Sequence, residues 1–184
     1  MMDHLKETTI KTEKLFTGRV IDLYLEEVKL PNGKTSTREI VKHPGAVAII
    51  AVTEERKLVL VRQYRKAMEK ALVEIPAGKL EKGESPEVTA LRELQEETGY
   101  TCESLTKVIR FYTSPGFADE LVHLFIANGL KKDTEVHSLD EDEFVDVLEV
   151  TLEEAIQLIE KEEIHDAKTA FAVQFLQLQK VNGK

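Results

Sequence analysis

Residues 78–100 read G-K-L-E-K-G-E-S-P-E-V-T-A-L-R-E-L-Q-E-E-T-G-Y, a stretch that marks both ends of a helix and loads it with acid. Ser85 can accept from a first-turn N–H. Pro86 takes the first helical position, where a missing N–H costs nothing, and Gly99 supplies the left-handed residue that stops the run. At about 100° per residue, Val88, Leu91 and Leu94 gather on one side and Glu93, Glu96 and Glu97 on the other. The expectation is that the apolar stripe anchors the helix while the acids face a cleft. Glutamates at i, i+3 and i+4 repel one another by about 0.2–0.5 kcal/mol per pair when exposed, so stability alone would not select them. A bound cation removes the objection. Oxygen-only donors suit a hard ion, so Mg²⁺ is expected, with Mn²⁺ as its substitute. An ordinary acidic surface helix would account for the charge run, but not for Gly78 or the isolated Arg92.

Outward from this helix, the 184 residues, 42% of them hydrophobic, are enough to bury a sizeable core. A formal charge of −9 disfavours nucleic-acid or membrane-surface partners, since either requires a basic face. Cys102 is the single cysteine and M-M-D-H-L-K lacks the apolar run of a signal peptide, so the cytoplasm is the expected compartment. The longest apolar stretch, 46–52, is too short to span a bilayer and reads as a buried strand. Asn32-Gly33 predicts a hairpin pairing 20–30 with 35–43, after an extended piece at 8–16. Further strands are expected at 58–64, 72–75, 105–112, 121–127 and 144–150. Two helices close the chain, one opening on the capping box Thr151-x-x-Glu154 and the other covering about 167–181, with Phe171, Phe175 and Leu178 near one side.

The 78–100 stretch resembles the Nudix box, G-x5-E-x7-R-E-U-x-E-E-x-G-U with U bulky and apolar, of hydrolases that split nucleoside diphosphates linked to another group. Gly78, Glu84, Arg92, Glu93, Leu94, Glu96, Glu97, Gly99 and Tyr100 fill its defined positions. The resemblance continues through R-E-I at 38–40, Q-Y-R at 63–65 and D-A-K-T-A at 166–170. It implies an α/β fold, an α/β/α sandwich around a mixed sheet. Residues 1–44 would form an antiparallel strand region used in dimerisation and 45–184 the catalytic domain.

Glu93 and Glu97, one turn apart, are the best pair of metal ligands, with Glu96 supporting them or holding a further ion. The resemblance adds the backbone carbonyl of Ala77. Arg92 is expected to orient one of the acids through its fork of N–H donors, and Glu84 to play a similar supporting part. Pro115 in T-S-P-G-F-A-D-E resembles the ADP-ribose branch of the family. Ser114, Pro115 and Gly116 make a tight turn that can approach a ligand closely, and Glu120 can accept from sugar hydroxyls. In L-D-E-D-E-F-V, Glu141 and Glu143 fall on the family's two functional glutamates, one the base and one bound to metal or water; which is which stays open. Residues matching Arg38 and Glu39 come, in the family, from a partner subunit and contact the adenine side, while Arg65 and Lys79 sit near the phosphates. The position where an aromatic ring stacks on the base is Arg19-Val20 here, a departure that leaves Arg19 to stack instead.

The resulting expectation is metal-dependent hydrolysis of ADP-ribose to AMP and ribose 5-phosphate by a homodimer with exchanged amino-terminal strands. ADP-glucose, ADP-mannose and NADH are rival substrates for the same residues. A module that binds ADP-ribose without cutting it would be expected to lack one of the three metal glutamates, and a purely structural domain would leave them repelling one another.

Overall fold

The computed structural model describes residues 3–133 and 144–182, so Glu141 and Glu143 lie outside the described residues. The chain forms two compact units, Met1–Gly45 with Phe111–Val122, and Ala46–Arg110 with His123–Lys184.

The first unit opens with a 3-10 turn, Asp3–Leu5, followed by three antiparallel strands, β1 (Thr8–Thr17), β2 (Asp22–Lys29) and β3 (Thr35–Lys42). The Asn32-Gly33 turn joins β2 to β3. Gly33 takes φ 85°, which a side chain would resist, and the Asn32 side chain accepts from the Lys34 N–H at 3.0 Å. Strand β2 begins two residues later than the pattern suggests, because Gly18 donates to the Ile21 carbonyl at 2.8 Å and turns the chain there. Every residue of β1 is exposed, including Ile10, Leu15 and Phe16. Residues 111–122 dock on β3 through Val41, whose N–H donates to the Phe117 carbonyl at 2.8 Å.

In the second unit β4 (Ala46–Ile50), β5 (Leu58–Arg65), β6 (Lys70–Glu74) and β7 (Ala77–Lys79) precede α1 (Pro86–Thr98). After α1 come β8 (Tyr100–Thr101), β9 (Ser104–Tyr112) and β10 (Leu121–Asn128), whose residues 111–112 and 121–122 belong to the first unit, then β11 (Lys131–Lys132), β12 (Val145–Val150), α2 (Leu152–Glu160) and α3 (Ala167–Val181). One sheet runs β7-β4-β10-β9, another β12-β5-β6, and β8 pairs with β11. The core is built from Val47, Ile49, Ala51, Val59, Ala90, Leu94 and Phe125. This is a mixed α/β fold, with three α-helices among the described residues. No helix among the described residues is long and apolar enough to cross a membrane.

Both ends of α1 form as the sequence indicates, with Ser85 accepting from the Val88 N–H at 3.4 Å and Gly99 at φ 68° donating to the Gln95 carbonyl at 2.8 Å. Its faces do not. The packed side carries Thr89, Ala90, Glu93, Leu94, Glu97 and Thr98, whereas Val88 and Leu91 are 53% and 43% exposed. Glu93 and Glu97 therefore share the buried face with Leu94 instead of opposing it. The physical reason is that this face packs on β4 and β7, where Glu97 accepts from the Ala77 N–H and Glu93 lies against Gly78, so the two acids are turned inward with Leu94. In α3 likewise, the packed residues are Thr169, Ala172 and Val173, while Phe171 and Phe175 stack with ring centroids 6.4 Å apart and Leu178 is exposed.

Candidate functional site

The segment from Glu74 to Gly78 crosses beneath α1 and is tied down at successive residues. The Ile75 N–H donates to Thr169 Oγ1 at 3.0 Å, and the Pro76 carbonyl accepts from Ile49 N–H at 2.9 Å. The Ala77 N–H donates to Glu97 Oε2 at 2.8 Å. Gly78 follows, and its lack of a side chain has a direct cause: a Cβ there would stand 1.9 Å from both Cδ and Oε1 of Glu93. The backbone of β7 thus lies against one carboxylate and hydrogen-bonds the other. Both acids are nearly enclosed, Glu93 at 7% and Glu97 at 4% exposure.

Arg92 gathers the remaining acids. Its Nη1 lies 2.8 Å from Glu96 Oε2 and 3.0 Å from Glu93 Oε1, and its Nη2 lies 3.3 Å from Glu84 Oε2. Burial opposes the Arg92 charge, but hydrogen bonds to Glu84 and Glu96 and the charges of Glu93 and Glu96 outweigh it, so the guanidinium is held far above its ordinary range. Glu84 is lowered by Arg92 and by Thr89, whose hydroxyl donates to it at 2.9 Å. Among the described residues, no group of three or more His, Cys, Asp or Glu side chains is gathered as a ligand set. Glu96 leans to Arg92, and Glu97 accepts from Ala77. The two enclosed acids still offer only oxygen, side by side on one face, which fits a hard divalent cation and not a soft one.

Arg65, at the end of β5, forks onto Glu74 with Nε 2.6 Å from Oε1 and Nη2 2.8 Å from Oε2. Lys79 is exposed on β7 opposite Ala46. Tyr100, the last box position, donates from its hydroxyl to Glu149 at 2.6 Å; burial and that carboxylate push its pKa up to about 12.

The other expected site residues belong to the first unit. Arg19 and Val20 are exposed in the turn after Gly18. Arg38 is engaged by Glu7, Nε to Oε2 at 2.9 Å and Nη2 to Oε1 at 2.5 Å, and Glu39 is exposed opposite Leu25. Ser114, Pro115 and Gly116 do form a turn, with the Ser114 carbonyl accepting from the N–H groups of Phe117 and Ala118 at 3.1 and 2.9 Å. Glu120 accepts from the Thr113 hydroxyl at 2.5 Å, and its other oxygen lies 3.7 Å from His43 Nε2.

Glu74, Asp166 and Lys168 carry no role in the sequence pattern. Glu74 is 2% exposed and meets Lys168 Nζ, which also lies 2.9 Å from Asp166 Oδ1. An acid ending the strand run A-L-V-E-I-P was the available signal, since an enclosed carboxylate needs a partner.

Residues 42–172 match the family model described as the NUDIX domain. The chain is 64% identical over 177 residues to an ADP-ribose pyrophosphatase of Bacillus subtilis (strain 168), covering 96% of each chain. It is 63% identical over 174 residues to a methanol dehydrogenase activator of Bacillus methanolicus, covering 95% of this chain and 94% of that one. A solved structure described as an ADP compounds hydrolase superposes with a TM-score of 0.83 at 22% identity, covering 97% of this chain and 96% of that one, which shows a shared fold.

Proposed function

The chain belongs to the NUDIX domain family, and from that premise we propose that it hydrolyses ADP-ribose to AMP and ribose 5-phosphate with the help of Mg²⁺. The observation that supports this most directly is the pair of enclosed glutamates, Glu93 and Glu97, held against the Ala77–Gly78 backbone. The 64% identical ADP-ribose pyrophosphatase supports the substrate.

Glu93, Glu97 and the Ala77 carbonyl would hold the cation, with Glu96 beside them. When bound, it neutralises diphosphate charge and makes water more acidic. Arg92 keeps Glu96, Glu93 and Glu84 in place, so their mutual repulsion is answered from within the helix. Arg65 and Lys79 bring positive charge to the phosphates. Of Glu141 and Glu143, one would take the proton from the attacking water and the other would help hold the cation or its water. That water adds to one phosphorus as the bridging P–O bond breaks, leaving one phosphate on each product. Ser114, Pro115, Gly116 and Glu120 meet the ribose side. Arg19, Val20, Arg38 and Glu39 meet the adenine side, the last two across a homodimer of exchanged amino-terminal strands in the cytoplasm. The fully exposed β1, with Ile10, Leu15 and Phe16 uncovered, supports such a partner.

A screen of ADP-ribose, ADP-glucose, ADP-mannose, GDP-mannose and NADH with Mg²⁺, coupled to a phosphatase that frees phosphate from AMP but not from the intact substrate, tests the reading. ADP-ribose should give the highest kcat/KM; an inactive panel refutes hydrolysis. The relative described as a methanol dehydrogenase activator favours a second reading, an effect on a dehydrogenase, which is tested by adding the chain to an alcohol dehydrogenase assay.

A further inference from the structure

Arg65 presents two edges to its surroundings. Nε and Nη2 are committed to Glu74, while the side chain as a whole remains 37% exposed. A guanidinium held along one edge keeps its other N–H donors in a fixed plane, which is the geometry that recognises phosphate oxygens two at a time. What fixes Glu74 therefore fixes Arg65. Glu74 is 2% exposed, and its Oε2 is shared between Arg65 Nη2 and Lys168 Nζ. Lys168 is itself anchored by Asp166, whose Oδ1 also accepts from the Thr169 N–H at 3.1 Å as the cap of α3. The chain of contacts runs from the first turn of α3, through Lys168 and Glu74, to Arg65.

We infer that Lys168 and Glu74 are positioning residues for substrate binding: they hold the Arg65 guanidinium in the orientation that receives the diphosphate. The inference rests on the reading of Arg65 as a phosphate contact. Charge makes the same point as geometry. Two cations and two carboxylates balance within this cluster, so Glu74 neutralises Arg65 without stripping its charge. Its hydrogen bonds, with a smaller contribution from Glu97, in fact hold the guanidinium more firmly charged than in water. Burial pushes Glu74 up, but Arg65 and Lys168 outweigh it and keep the carboxylate ionised. A solitary Arg65 would have the same charge and none of the orientation.

Four variants test this. Arg65→Met should raise the KM for ADP-ribose at least tenfold with kcat within about threefold, because a contact made equally to substrate and transition state moves KM alone. The double variant Glu74→Gln with Lys168→Met removes one charge of each sign, so the cluster stays neutral and folds while Arg65 loses its fork. It should raise KM by a similar factor, and weaken ADP-ribose binding measured by calorimetry in EDTA, where no turnover occurs. Lys168→Arg, which keeps the cation, should stay within about threefold of the parent. Glu74→Asp retains every charge but is one methylene shorter, and serves if the double variant does not fold; it too should raise KM. If Arg65→Met raises KM and the double variant or Glu74→Asp does not, the positioning role is overturned while the phosphate contact stands. If Arg65→Met leaves KM unchanged, the Arg65 reading fails and the inference with it.

Discussion

Gly78→Ala is the smallest change that should separate packing from chemistry. An added Cβ would lie 1.9 Å from Glu93 Cδ, whereas ordinary contact begins at 3.4 Å, so the carboxylate must retreat by at least 3.4 − 1.9 = 1.5 Å. Glu93 has little space for this, being 7% exposed with its Oε1 3.0 Å from Arg92. Overpacking of this kind costs about 1–3 kcal/mol, which for a chain of this size lowers Tm by about 2–12 °C. The catalytic loss should be larger in proportion, since displacing a group by about 1 Å can cost about 10²-fold in rate. Expected is a folded protein whose kcat for ADP-ribose falls about 10²-fold or more and whose Mg²⁺ half-saturation rises. Phosphatase-coupled kinetics across a Mg²⁺ series, alongside thermal unfolding in EDTA, gives both numbers. A variant with kcat and Mg²⁺ dependence within about threefold of the parent would show that the placement of Glu93 against this backbone does not matter to the reaction.

Glu97→Gln keeps the side chain's shape but removes its charge, so kcat should fall by at least about 10³-fold and Mg²⁺ binding by titration should weaken; activity within tenfold of the parent defeats the metal assignment. Glu141→Gln and Glu143→Gln, made separately, should each lower kcat more than they raise KM, because a base acts in the transition state. Full kcat in both places the base elsewhere. Acid stability offers an independent check on Glu74. Its folded pKa is lowered, so its contribution is complete above the unfolded value near 4.5 and is lost as the pH falls below it. Urea midpoints should drop through that acid range in the parent, and Glu74→Gln should remove part of the slope; an unchanged slope refutes the depressed carboxylate.

The local signals in the sequence were reliable where one short stretch carries its own instruction. Asn32-Gly33 names the β2–β3 hairpin, and Ser85 with Gly99 bounds α1, because a turn or cap is decided by its own few residues. The strands Ala77–Lys79, Tyr100–Thr101 and Lys131–Lys132 escaped notice, being too short for any alternation to register and, in the first, centred on a glycine. Periodicity misplaces the faces of α1 for a different reason. Periodicity assumes that apolar means buried, yet here the packed face carries Glu93 and Glu97, and Val88 is left outside. A site that encloses charge inverts that rule. Glu74 and Lys168 stood no chance of being paired, since 94 residues separate them.

That separation also orders events during synthesis. The segment carrying Glu74 and Ala77 is made 94 residues ahead of Lys168, an interval of about 5–20 s at ordinary translation rates. Throughout it the Ile75 N–H has no Thr169 hydroxyl to meet, and Glu74 has no lysine. The nascent chain can form its hairpins and α1, but the floor under the two glutamates waits for the beginning of α3 to emerge. The setting of Glu74 and Ile75 is therefore completed only once the start of α3 has been made.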